Sequence, residues 1–173
     1  MQLRNLNYKQ PTNIREMLEL TADRIVPEWL PTVGSNVLNL GPGAKHIEGA
    51  TELEYPDWDA DREPIPGGLG TVDAIYAIHF LEHVKKPVKL LRECQRVLRP
   101  GGLLNVGLPF YNAQIAAQDL DHKSQWCETT WKTLLKNDYY KKNHENWQFD
   151  IGANVIIGVA ERNLLLITQL IRK

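Results

Sequence analysis

The chain of 173 residues is long enough for one domain with a sizeable core and too short for two full ones. Its 20 Lys and Arg residues against 21 Asp and Glu leave a net charge of −1, so no global field favours nucleic acid or an acidic membrane surface. No apolar run approaches the roughly 20 residues needed to span a bilayer, and the opening "MQLRNLNYKQPTN" lacks the apolar stretch and cleavage site of a secretory signal. A cytoplasmic protein with no membrane partner is expected. Cys94 and Cys127 lie far apart without CxxC spacing, which predicts neither a disulfide nor a metal site.

In chain order, "PTNIREMLELTADRIVPEWLP" opens with the possible caps Thr12 and Asn13 and spaces Ile14, Met17, Leu18 and Ile25 on one helical face before Pro27 and Pro31 stop it. "NVLNL" (36–40) is a buried strand by its branched apolar content, and Gly41 and Gly43 follow it. A compressed connection leads to a second short strand, "ATELE" (50–54), and "PIPGGLG" (64–70) is turn chemistry. "TVDAIYAIHF" (71–80) lacks strict alternation, as a strand covered on both faces does. "KPVKLLRECQRVLRPGG" (86–102) is the clearest helix, with Val88, Leu91, Val97 and Leu98 on its apolar face and Pro100-Gly101-Gly102 at its end.

"LLNVGLPF" (103–110) predicts the next strand, and "TTWKTLLKN" (129–137) a helix. "WQFDIGANVIIGVA" and "NLLLITQLIRK" flank Glu161-Arg162 as an antiparallel hairpin. The order predicts a single α/β domain with a Rossmann-like, mostly parallel sheet and an antiparallel C-terminal hairpin. It divides into a helical lead-in (1–34), a central part (35–110) and a loop, helix and hairpin (111–173). Ligands of such sheets sit beyond the carboxyl ends of the strands, at the turns after Leu40, Glu54, His79 and Pro109.

Glycines at 41 and 43 let the backbone approach a ligand and offer it N–H groups, although "GPGAK" lacks the third glycine of GxGxxG and a plain sharp turn is the alternative. Glu54 can accept from both hydroxyls of a ribose, against the alternative of an ordinary surface glutamate. Asp59 and Asp61 in "DWDADRE" either accept from an adenine amino group or form a solvated acidic loop.

The succession of glycine turn, strand-end acid, later acid, "VDAIYAIHFLEHV" and "VLRPGGLLNVGLP" resembles the class I S-adenosylmethionine-dependent methyltransferases, from about Asn36 to about Pro109. The resemblance implies S-adenosylmethionine as cofactor and S-adenosylhomocysteine as product. It implies a glycine loop at Asn39-Leu40-Gly41-Pro42-Gly43, a ribose-binding acid at Glu54, an adenine-contacting acid at Asp59, and His79 lining the cofactor. "DLDHKSQW" is similar to an Asp-Pro-Thr-His-Lys stretch on the acceptor side of some members, matching Asp119, His122 and Lys123. The short "AKHIEGATELE" resembles a subset in which a loop replaces the first helix. Asn39 stands where the family commonly has an acid, and Lys45 where a third glycine is usual.

On this resemblance a general base is needed only if the acceptor is a hydroxyl or a protonated amine, and His122, Asp121 and Tyr111 are the catalytic candidates. Glu82 and His83 are expected to cap and orient the turn into the long helix. The five tryptophans are mostly core, with one or two walling an acceptor pocket. A small-molecule or sugar-type acceptor is expected; a cofactor-binding partner subunit without activity of its own is the first alternative. The second is a nucleic-acid methyltransferase, suggested by lysines and aromatics in "LLKNDYYKKNHENW" (134–147).

Overall fold

The computed structural model describes residues 36–44, 46–136, 146–159 and 162–173. The expected N-terminal helix, Lys45 and most of the 134–147 segment lie outside them. Three parallel pairings and two antiparallel ones build a six-stranded sheet. Its strands are β1 (Val37–Leu40), β2 (Thr51–Leu53), β3 (Val72–Ile78), β4 (Leu98–Pro109), β5 (Phe149–Val159) and β6 (Arg162–Arg172). The spatial order is β2-β1-β3-β4-β6-β5, so the chain leaves β1 on one side for β2 and crosses back over it to β3. Between β1 and β3 lies the topological switch point of the sheet.

Side chains alternate along these strands, and each face therefore has its own core. Leu38, Leu40, Ile75, Leu104 and Leu166 line one face. There they meet Leu90, Leu91, Cys94 and Val97 of α1 (Pro87–Val97) and Trp131 and Leu134 of α3 (Glu128–Lys136). A short α2 (Gln114–Gln118) lies between β4 and α3. Val37, Ala74, Ile78 and Ile167 line the other face, against which Ile47 and Ala50 pack.

That second face carries a row of polar groups. Glu52, Asn39, Tyr76, Asn105 and Gln169 are register partners in succession across β2, β1, β3, β4 and β6. All but Glu52 are buried, and Gln169 Nε2 donates to Asn105 Oδ1 at 2.9 Å.

The α1 boundary differs from the sequence expectation. The helix ends at Val97 rather than Gly102, and Leu98 turns extended while its N–H still reaches the Cys94 carbonyl. Pro100 has no N–H to continue the helix, and Leu98–Pro109 is strand throughout, with a register shift opposite Val72 and Ala74. Gly101, at φ 76°, takes the left-handed conformation that this irregularity requires. Among the described residues, no helix is long and apolar enough to cross a membrane.

Candidate functional site

The connection from β1 to β2 holds no helix among its described residues; its turns close within Gly41–Ala50. Gly41 and Gly43 adopt φ 59° and 53°, the left-handed region that favours glycine. Their surroundings differ. A Cβ on Gly41 would run into the ring of Phe80, whereas nothing lies within 4 Å of one on Gly43. Gly43 donates its N–H to Glu54 Oε1 at 3.0 Å, so the glycine turn and the acid ending β2 meet directly. The Gly41 N–H is held by the Leu53 carbonyl at 2.8 Å.

Leu40 is wholly inside the core, so its side chain can offer nothing to a ligand, and Pro42 is also buried. Asn39 is 2% exposed and helps to hold the Glu52 carboxyl below its usual range, behind the larger effect of the His46 hydrogen bond. Its amide is thus engaged with the neighbouring strand.

Asp59 and Asp61 organise their own loop. Asp59 Oδ1 accepts the Asp61 N–H at 2.9 Å, and its other oxygen lies 3.3 Å from Arg62 Nε. Asp61 accepts the Lys86 N–H at 3.0 Å, capping the start of α1 from a distance in sequence. Arg96 of α1 donates to the carbonyls of Ile65 and Gly67, while Glu93 accepts the Ile65 N–H. The acidic loop is therefore pinned at both ends to α1. Beside it is a cavity of about 170 Å³ lined by Glu54, Trp58, Asp59, Phe80 and His83, and a second of about 490 Å³ shares Glu54 and Trp58 with the first.

At the end of β3, His79 sits at φ 52°, a left-handed backbone that is strained for a residue with a Cβ. Its Nδ1 is 3.2 Å from Glu82 Oε1. Glu82 is 1% exposed, and its Oε2 has no hydrogen-bond partner among the described residues. The Glu82 carbonyl accepts the N–H groups of Lys123 (2.6 Å) and Ser124 (3.2 Å), joining the turn after β3 to the loop after α2. Glu82 and His83 are expected to cap and orient the turn into α1; the Glu82 carboxylate meets His79 and the His83 ring meets His122, while the Lys86 N–H at the start of α1 is taken by Asp61.

His122 is 8% exposed at its side chain. Its Nδ1 is 3.0 Å from the Ala116 carbonyl, which can only accept, so Nδ1 carries a proton and, in the neutral ring, the lone pair is on Nε2. The His83 ring meets it edge-on at 4.7 Å between centroids. Asp121 is 87% exposed and pairs loosely with Lys123 at 3.6 Å, while Tyr111 is half-exposed against Phe110. Of the three acceptor-side candidates, His122 is the one clustered with Glu82 and His83 among the described residues. Phe80 and Glu82 had no distinguishing signal in the sequence, because each acquires its role from a segment distant in the chain.

Residues 24–106 match the family model described as "Methyltransferase domain". A ubiquinone biosynthesis O-methyltransferase of Colwellia psychrerythraea is 26% identical over 88 residues, which are 46% of this chain and 35% of that protein. The chain thus spans about a third of the length of this curated relative. Among solved structures, an S-adenosylmethionine-dependent methyltransferase of Mesorhizobium loti superposes with a TM-score of 0.59 at 16% identity, covering 90% of this chain and 100% of that one. A chain from the complex between the Haloferax volcanii Trm112 methyltransferase activator and a methyltransferase candidate gives 0.64 at 13% identity, covering 91% and 92%. The matched stretch of 83 of the 173 residues is thus similar to a methyltransferase domain, and the chain shares its fold with solved S-adenosylmethionine-dependent methyltransferases.

Proposed function

We propose that the chain binds S-adenosylmethionine across the ends of β1 and β3 and methylates a small-molecule or sugar-type acceptor. The observation that carries this reading is the Gly43-to-Glu54 hydrogen bond, which brings an open glycine turn and a strand-end carboxylate together at the switch point. Glu54 is exposed and can accept from the hydroxyls of a ribose, with Trp58 and Phe80 as apolar walls beside it. His79 and the backbone of Gly41 and Gly43 complete the proposed cradle, and Asp59 shapes its far side through the loop it holds.

When bound, the cofactor supplies an electrophilic methyl group on a sulfonium. The chain's part is mainly to align the acceptor and exclude water, and such positioning is worth about 7 to 11 kcal/mol. For a hydroxyl acceptor, His122 Nε2 is the base, since its lone pair is turned away from the Ala116 tether. Tyr111 and Asp121, more exposed, serve to border the acceptor rather than to take its proton.

A second reading, a cofactor-binding subunit that acts through a partner, is favoured by Asn39, whose amide is occupied at Glu52 and brings no charge to a cofactor ammonium. The Haloferax volcanii neighbour, from a complex with an activator, makes that arrangement worth testing.

Calorimetric titration with S-adenosylmethionine and S-adenosylhomocysteine, beside Glu54→Ala, separates the two. Micromolar binding lost in the variant supports the cofactor site and opens an acceptor screen. No binding by the folded wild-type chain would overturn the stand-alone enzyme.

A further inference from the structure

We propose that Glu82, His83 and His122 form a binding site for one divalent transition-metal ion of the zinc type. One ligand atom from each lies within 4.8 Å of the other two. A tetrahedral zinc ion with bonds of about 2.0 to 2.1 Å needs its ligands about 3.4 Å apart, so the groups must close by at most about 1.4 Å. A carboxylate and two imidazoles with an open fourth position are a donor set that zinc takes readily.

Three independent features point inward. First, Glu82 is buried, yet its Oε2 has no hydrogen-bond donor among the described residues. Leaving a carboxylate oxygen unpaired in the interior is costly, and a cation is one way to satisfy it. Second, His122 donates Nδ1–H to a main-chain carbonyl, which fixes its tautomer and orients the Nε2 lone pair, as metal-binding histidines are commonly oriented. Third, the separation of the two ligand-bearing segments is set by backbone hydrogen bonds from Lys123 and Ser124 to the Glu82 carbonyl. Preorganised ligands bind more tightly than ligands that must be gathered. Asp119 Oδ2, 3.7 Å from His122 Nε2, adds a carboxylate at the rim.

His83 also lines the cavity bounded by Glu54 and Phe80, so an ion here lies beside the proposed cofactor cradle. With the ion bound, His122 Nε2 is its ligand and no longer a base. A role of the ion in orienting an acceptor oxygen would therefore replace the base role and rests on the methyltransferase reading, whereas the site itself does not.

The test uses Co²⁺ as a visible probe on chelator-treated full-length protein without S-adenosylmethionine. One equivalent is expected to give the strong visible bands of four-coordinate cobalt, abolished by Zn²⁺ competition. His83→Ala and Glu82→Gln are each expected to weaken binding at least tenfold while circular dichroism stays unchanged. No bands from the wild-type chain overturn the proposal, as does equal binding by a folded His83→Ala variant. Cofactor titration in chelator-containing buffer reads the methyltransferase proposal separately.

Discussion

Gly43 and Glu54 are joined by a hydrogen bond of 3.0 Å from the main-chain amide of one to the carboxylate of the other. The residue that would grip a ribose is therefore aimed by the loop on which the rest of the cofactor would lie. Glu54→Gln keeps an oxygen able to accept from Gly43 but removes the charge. Hydrogen bonds to charged groups contribute about 1.5 to 3 kcal/mol against about 1 for neutral ones, so cofactor affinity is expected to fall about tenfold. Calorimetry should rank the glutamine variant between the wild type and Glu54→Ala.

The two turn glycines are expected to respond differently to alanine. Gly43→Ala carries only the left-handed backbone penalty, about 1 kcal/mol. Gly41→Ala adds a collision with Phe80, and its loss of stability should exceed that of Gly43→Ala by more than about 1 kcal/mol. In urea unfolding, Phe80→Ala introduced beside Gly41→Ala should recover part of the excess. Additive effects would mean that ring and glycine do not meet.

On the acceptor side, His122→Ala is expected to lower kcat for a hydroxyl acceptor by about a hundredfold or more, the usual scale for a general base. Asp121→Asn should leave it within about twofold, because an exposed pair such as Asp121 with Lys123 is worth little. Steady-state kinetics on any acceptor found would reveal a reversal of that ranking.

Asp73 supplies a pH prediction. The Arg99 guanidinium, and then the Asn36 N–H, hold its carboxyl below the ordinary carboxylate value. A depressed folded-state pKa stabilises the protein above the unfolded-state value of about 3.9, and that contribution disappears as pH falls through the lower folded value. Asp73→Asn should therefore be less stable than the wild type near neutrality, by up to about 1 kcal/mol for so exposed a pair. The gap in urea midpoints should close below about pH 4.

The cysteines should differ in reactivity. Burial drives the Cys94 thiol far upward. At Cys127 burial also raises it, but hydrogen bonds with Thr129 and Thr130 more than offset this and leave the thiol lowered. Alkylation at neutral pH, read by mass spectrometry, should label Cys127 well before Cys94.

Much of the sheet was legible because "VLNL" and "VDAIYAI" are short apolar runs bounded by turn residues. The end of α1 was not. Leu98 continues the helical spacing and is buried whether it closes a helix or opens a strand. The glycine turn and Glu54 could be placed by their positions at strand ends. Glu82 could not: one glutamate in a turn looks solvated until the loop at Lys123 and Ser124 folds over it. The same holds for Phe80, which reaches Gly41 only because β1 and β3 are neighbours in space.

The row from Glu52 to Gln169 has a consequence for how the strands find each other. Apolar strands such as β1, β3 and β4 could slide past one another with little loss of burial, since one leucine resembles the next. Sliding any of them by two residues would keep its faces but set Asn39, Tyr76 or Asn105 against aliphatic neighbours, stranding a polar group in the interior. The row thus acts as a key cut across the sheet, admitting a single alignment and, with it, one relative height for the ends of β1 and β3, on which Gly41 and His79 stand.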